Sequence, residues 1–136
     1  MMHTEHLQSV RFGIVTAAWA VAVAVTSLLL LVVFGIGAVD ADSPLATRVA
    51  IAAVALGFYA GGIFAGTRTG AAPILHGTFI GLLSLAIWFL LNVVTAIAFP
   101  DFGWQALTPN LAVGLIVLQI AAAILGARHG YRRSVR

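Results

Sequence analysis

The chain contains no cysteine and no lysine, and its 136 residues hold only four carboxylates and seven arginines. Without cysteine there is no disulfide frame, no thiolate metal site and no thiol nucleophile. The four acids, Glu5, Asp40, Asp42 and Asp101, fall near the N-terminus or between apolar runs, never within one. A proton-coupled pump or a metal-cation carrier usually needs an acid at membrane depth, so that class is disfavoured. There is no paired-carboxylate site, no Ser-His-Asp set at one depth, no HExxH and no phosphate loop, and the chain reads as a non-enzyme with no metal site. Charged residues make up 8% of the chain, far below the roughly 25% of soluble domains.

What fills the chain instead is apolar sequence: 62% of residues are hydrophobic and the mean hydropathy is +1.09. Runs of about 18 or more apolar residues are candidates to cross a bilayer, and four are present. The expected architecture is an all-α membrane protein with four transmembrane helices over about 12–39, 46–66, 74–99 and 109–127, followed by a basic tail over 128–136. Span one outruns the roughly 30 Å hydrocarbon core and should tilt or protrude. Its length argues against a cleaved signal peptide at Val39-Asp40-Ala41, because the apolar core of such a peptide is about 7–15 residues. Span two is expected to start from Ser43 as N-cap and Pro44 at its first position. Arg48 would snorkel from its first turns. Phe99, Phe102 and Trp104 suit an interfacial aromatic belt. His3 and His6 read as solvated terminal histidines, for want of further metal ligands nearby.

The seven arginines give the orientation. Arg11, Arg68, Arg128, Arg132, Arg133 and Arg136 belong to the two ends and the middle turn, whereas the other two loops hold only Arg48 with three aspartates. The positive-inside bias then puts both termini in the cytoplasm; the expected localisation is the inner membrane of a bacterium. The sequence pI near 10.7 reflects these juxtamembrane arginines rather than nucleic-acid binding. Arg68, Arg128, Arg132, Arg133 and Arg136 are candidate contacts for anionic lipid headgroups or for an acidic partner surface.

Small residues mark the packing faces. Ala53, Gly57, Gly61 and Ala65 recur every four residues in span two, and Gly62, Gly66 and Gly70 form a row beside them. Such rows let a neighbouring backbone approach closely in lipid. Gly77 and Gly81 extend the pattern into span three. Gly70 also suits a left-handed C-cap, with Arg68 near the negative end of the helix dipole and Pro73 opening the next span. Shifting the chain by sixty residues lays Gly66-Thr67-Arg68-Thr69-Gly70 over Gly126-Ala127-Arg128-His129-Gly130, and Ile14–Trp19 over Ile74–Phe79. Two tandem helical hairpins in parallel orientation would explain this match.

The stretch Gly61-Gly62-Ile63-Phe64-Ala65-Gly66-Thr67-Arg68-Thr69-Gly70, followed by Leu75-His76-Gly77, resembles the small bacterial four-span membrane proteins grouped as uncharacterised. The likeness covers spans two and three and, beyond them, only the layout. It implies a fold and no role.

Polar side chains inside the spans are the remaining candidates. His76 is either an interfacial histidine bonded to a carbonyl or lipid phosphate, or a ligand for haem, pigment or metal or a proton relay. Its place at the membrane edge favours the first, and no cofactor is expected. Asn92 and Gln119 either line a polar path or bond across helices, and Tyr59 and the Thr26-Ser27 pair read the same way, since hydroxyls can bond back to carbonyls of their own helix. The leading expectation is a non-enzymatic membrane protein that works through helix–helix association, as a self-assembling scaffold or as an accessory subunit among other membrane subunits. The alternative is an oligomeric small-solute channel or carrier, in which Asn92, Gln119, Tyr59 and Thr26 would face one lumen.

Overall fold

A computed structural model describes residues 7–100 and 109–135. They form a 3-10 turn, Leu7–Ser9, and four helices: α1 Phe12–Gly35, α2 Pro44–Thr69, α3 Pro73–Ala98 and α4 Pro109–Ser134. Each helix is long and apolar enough to span a membrane, and the described residues contain no strand. At 1.5 Å per residue, 24 to 26 residues reach about 36–39 Å, beyond the roughly 30 Å hydrocarbon thickness. The expected interfacial side chains Phe102 and Trp104, the terminal His3 and His6, and Arg136 lie outside the described residues.

Helix ends follow local chemistry. α1 stops at Gly35, short of the expected Val39, and Gly37 turns the chain at φ +69°. α2 opens with Ser43 in the N-cap position and Pro44 behind it, but the Ser43 hydroxyl donates to the Asp40 carbonyl (2.7 Å) instead of capping the helix. Gly70 ends α2 in the left-handed conformation, φ 58°. Ala72, before Pro73, is also left-handed at φ 47°. A following proline disfavours the right-handed helical region, and this alanine adopts the uncommon alternative.

α2 is the central helix, with α1 along one side and α4 along another. Gly57 meets Ala22 and Thr26, and Gly61 meets Ala18 and Ala22, so α1 and α2 run antiparallel. Gly62 meets Ala123 and Ala127, and Gly66 meets Ala127 and Tyr131, so α2 and α4 run parallel. α3 packs antiparallel on α4, with Gly77 against Ile124 and Gly81 against Ile120. The two small-residue rows of span two therefore serve two different neighbours. Gly70 is not part of the second row: it is the cap, and a Cβ there would meet nothing within 4 Å.

The core is made mostly of alanine: Ala18, Ala22, Ala65, Ala123 and Ala127 are buried beside Val15, Phe58 and Ile80. Hydrocarbon is as apolar as these side chains, so the packing gain is van der Waals contact between close backbones rather than expulsion of water. The α2–α4 seam also has internal symmetry. Gly126 sits on Tyr59 and Ile63 as Gly62 sits on Ala123 and Ala127, and Gly130 rests on Ile63 as Gly66 rests on Ala127. The contacts exchange under a shift of sixty-four residues, one helical turn away from the sixty-residue sequence match.

α4 does not end near Ala127. It continues to Ser134, so Arg128, Arg132 and Arg133 stand on a helix and not on a free tail. Gly130 is buried against α2, and this contact carries the last turns along the bundle.

Candidate functional site

Two polar constellations occupy the end of the bundle where α2 and α4 finish and where α1 and α3 begin. The first is centred on His76, fully buried in the first turn of α3. Its Nε2 accepts the backbone N–H of Arg11 at 3.1 Å. Since Nε2 is the acceptor, Nδ1 carries the proton and donates to the Ala72 carbonyl at 2.8 Å. The Ala72 oxygen also accepts the His76 backbone N–H at 3.1 Å. Arg11 is the N-cap of α1 and has no side-chain cap bond, so the imidazole satisfies one of the donors left open at a helix start. Both ring nitrogens are engaged. Ligation of a haem or metal at Nε2 would have to break the Arg11 bond and leave a part-buried N–H bare, a loss of about 1 kcal/mol or more. Phe12 and Phe79 close the same junction edge to face, centroids 5.7 Å apart.

The second constellation is a cleft of about 670 Å³ between α2 and α4, lined by Tyr59, Leu125, Arg128, His129, Arg132 and Arg133. The Tyr59 hydroxyl and His129 Nδ1 are 2.9 Å apart, and the two rings meet edge to face. Residues 128, 129, 132 and 133 share one face of α4 because they are spaced three and four apart. The described carboxylates, Asp40 and Asp42, lie in the α1–α2 loop at the other end of the bundle. Arg68 is at the same end as the cleft but outside its lining, with its guanidinium 4.8 Å above the Phe64 ring.

The other polar candidates are dispersed. Asn92 Nδ2 donates to the Trp88 carbonyl of its own helix at 2.8 Å. Thr26 donates to Ala22 one turn back at 2.8 Å and reaches the Ala53 carbonyl of α2 at 3.4 Å. Gln119 borders a cavity of about 80 Å³ between α3 and α4, beside Ser84 and Trp88, room for only a few waters. Tyr59 and Gln119 line separate cavities, and neither of these two linings includes Asn92 or Thr26. Among the described residues no three His, Asp or Glu side chains come together as a metal would require.

His129 was the member of the cleft that the sequence reading passed over. Its signal was the spacing Gly126–Gly130, which repeats Gly62–Gly66 and marks α4 as still helical and still packed beyond Ala127. Neither family models nor curated proteins nor solved structures returned a match to this chain.

Proposed function

We propose that this protein is a non-enzymatic integral membrane protein that works by helix–helix association, with the outward face of α1 as its contact surface. The observation that carries this reading is a stripe of small residues opposite the core. Gly13, Ala17, Ala20, Ala24 and Ser27 are all exposed, and at 100° per residue they fall within an arc of about 80°. Val15, Ala18 and Ala22 occupy the other side of the same helix. Past Ser27 this face of α1 becomes bulky at the exposed Leu31, and the free faces of α3 and α4 carry Leu82, Phe89, Leu90, Val113 and Val117, the bulky apolar surface that suits lipid chains. A small-residue face supports close approach of another helix.

The glycine rows of α2 are already filled from within the chain, so they form its internal seam. The dispersal of Thr26, Tyr59, Asn92 and Gln119 weighs against a shared lumen and therefore against the channel or carrier reading. The arginine distribution supports a cytoplasmic side for both chain ends, and the resemblance of residues 61–77 to small bacterial four-span proteins supports a bacterial inner membrane. Self-assembly is the simplest form of the association, and a place among other membrane subunits uses the same face.

The chain lacks native cysteine, which makes disulfide crosslinking a clean test. Ala17→Cys, Ala20→Cys and Ala24→Cys, oxidised in native membranes, are expected to give covalent dimers, and Leu90→Cys on the bulky face of α3 is not. Equal crosslinking at all four positions would refute the assignment. Native mass spectrometry from the same membranes separates copies of this chain from foreign subunits.

A further inference from the structure

The cleft between α2 and α4 combines features that neither topology nor helix association requires. Arg128 and Arg132 form an i,i+4 pair, and like charges at that spacing repel by a few tenths of a kcal/mol in an isolated helix. The negative end of the α4 dipole offsets part of this repulsion, yet three guanidinium groups still converge on one concavity. Beside them the Tyr59–His129 pair adds hydrogen-bonding groups from a second helix. Leu125 lines the cleft as well, and Ala121 and Leu56, about one turn farther along α4 and α2, are exposed. The concavity is thus cationic at the helix ends, and exposed apolar surface adjoins it on both helices.

We infer that this cleft binds the phosphate of an anionic phospholipid, with an acyl chain along Leu56, Ala121 and Leu125. The arginines supply charge-assisted, fork-shaped donors to the phosphate oxygens. Tyr59 and His129 fix the headgroup against the α2–α4 seam, so that the lipid bridges the two helices whose glycines meet. A volume of about 670 Å³ falls within the range of small-molecule sites, roughly 300–1,000 Å³. The apolar surface beside the cleft favours a lipid over a soluble phosphate ester, because only a ligand with a chain can cover it.

The test uses the full chain in phosphatidylcholine nanodiscs with phosphatidic acid as probe, lipid retention being read by native mass spectrometry. Wild type is expected to retain one phosphatidic acid per chain. Arg132→Gln and Arg133→Gln are each expected to weaken retention roughly fivefold, the effect of one basic residue near an anionic headgroup. Tyr59→Phe, which keeps the ring, is expected to weaken it about threefold through the lost hydroxyl. Arg68→Gln serves as control, since it removes an arginine from the same end but outside the cleft. If Arg68→Gln lowers retention as much as Arg132→Gln, general surface charge is responsible and the site is refuted. If glycerol 3-phosphate displaces the lipid completely, the ligand is a soluble phosphate ester and the lipid assignment is overturned.

Discussion

Replacing Gly66 with alanine adds a single methyl group, and the structure fixes what that methyl meets. Its Cβ would face the carbonyl oxygen of Ala127, with the Ala127 carbonyl carbon and the Tyr131 nitrogen each 2.8 Å away. All three are backbone atoms of α4, so no rotamer change relieves the contact. Restoring an ordinary 3.4 Å separation moves the helices apart by more than half an ångström along that line. A gap of about 0.5–1 Å forfeits a quarter to a half of each van der Waals well, and the Gly62, Gly126 and Gly130 contacts loosen with it. Overpacking of this kind costs about 1–3 kcal/mol, and Gly66→Ala is placed at the upper end, roughly 2–3. Gly81→Ala meets Cγ1 of Ile120, a β-branched side chain held near one rotamer on a helix, with the Ile120 Cα at 3.1 Å, and is expected to lose about 1–2 kcal/mol. Gly114→Ala has nothing within 4 Å and gains helix propensity, up to about 1 kcal/mol. Unfolding in dodecylmaltoside titrated with dodecyl sulfate, followed by circular dichroism, ranks the three. If Gly66→Ala unfolds at the same detergent fraction as Gly114→Ala, the α2–α4 seam is not where the structure puts it.

Gly61→Leu is expected to part α1 from α2, because Ala18 O and Ala22 Cβ lie 2.5 and 2.9 Å from its would-be Cβ; thermal stability in detergent should fall by the equivalent of about 3 kcal/mol or more with topology unchanged. His76→Ala leaves the Arg11 N–H short of a partner, while the Ala72 carbonyl keeps the backbone N–H of residue 76, a loss of about 1–3 kcal/mol; hydrogen exchange at the start of α1 should accelerate selectively. Haem added to the folded protein should show no imidazole-ligated spectrum, and a Soret shift abolished by His76→Ala would contradict the engaged state of both ring nitrogens. Thr69→Val should be neutral or stabilising by about 1 kcal/mol, since the Thr69 hydroxyl is buried without a hydrogen-bond partner. Single cysteines at Ser43 and Ser134 should be labelled from opposite sides of sealed membranes; labelling from one side contradicts the four-span topology.

Much of the fold was legible because lipid-spanning helices are written in composition: runs of apolar residues, proline at helix starts and glycine at the α2 end need no tertiary knowledge. The small-residue rows were also visible, but a row does not say which neighbour it receives. Gly57 and Gly61 face α1 while Gly62 and Gly66 face α4, and this split depends on where α4 lies. The end of α4 was misplaced because arginines after an apolar run look like a tail, whereas Gly130 continues the packing. The His76 junction had a visible half, a histidine four residues after its own carbonyl partner. Its other half, a backbone N–H sixty-five residues earlier, carries no side-chain signature. The basic cleft was hidden for the same reason, since Tyr59 and His129 come from helices seventy residues apart.

The near-exchange symmetry of the α2–α4 seam has a consequence for biogenesis. During synthesis α1 and α2 enter the bilayer well before α4 exists, and in that interval the Gly62–Gly66 face has no partner of its own chain. The surface α4 later presents repeats the α2 surface, glycine for glycine, at a spacing of sixty-four residues. A parallel α2 from a second nascent chain therefore offers the same two glycines, with Tyr59 and Ile63 in place of Ala123 and Ala127. Two young chains that insert side by side are competitors for the seam that each one's own α4 will claim, and the outcome turns on how far apart ribosomes deliver them.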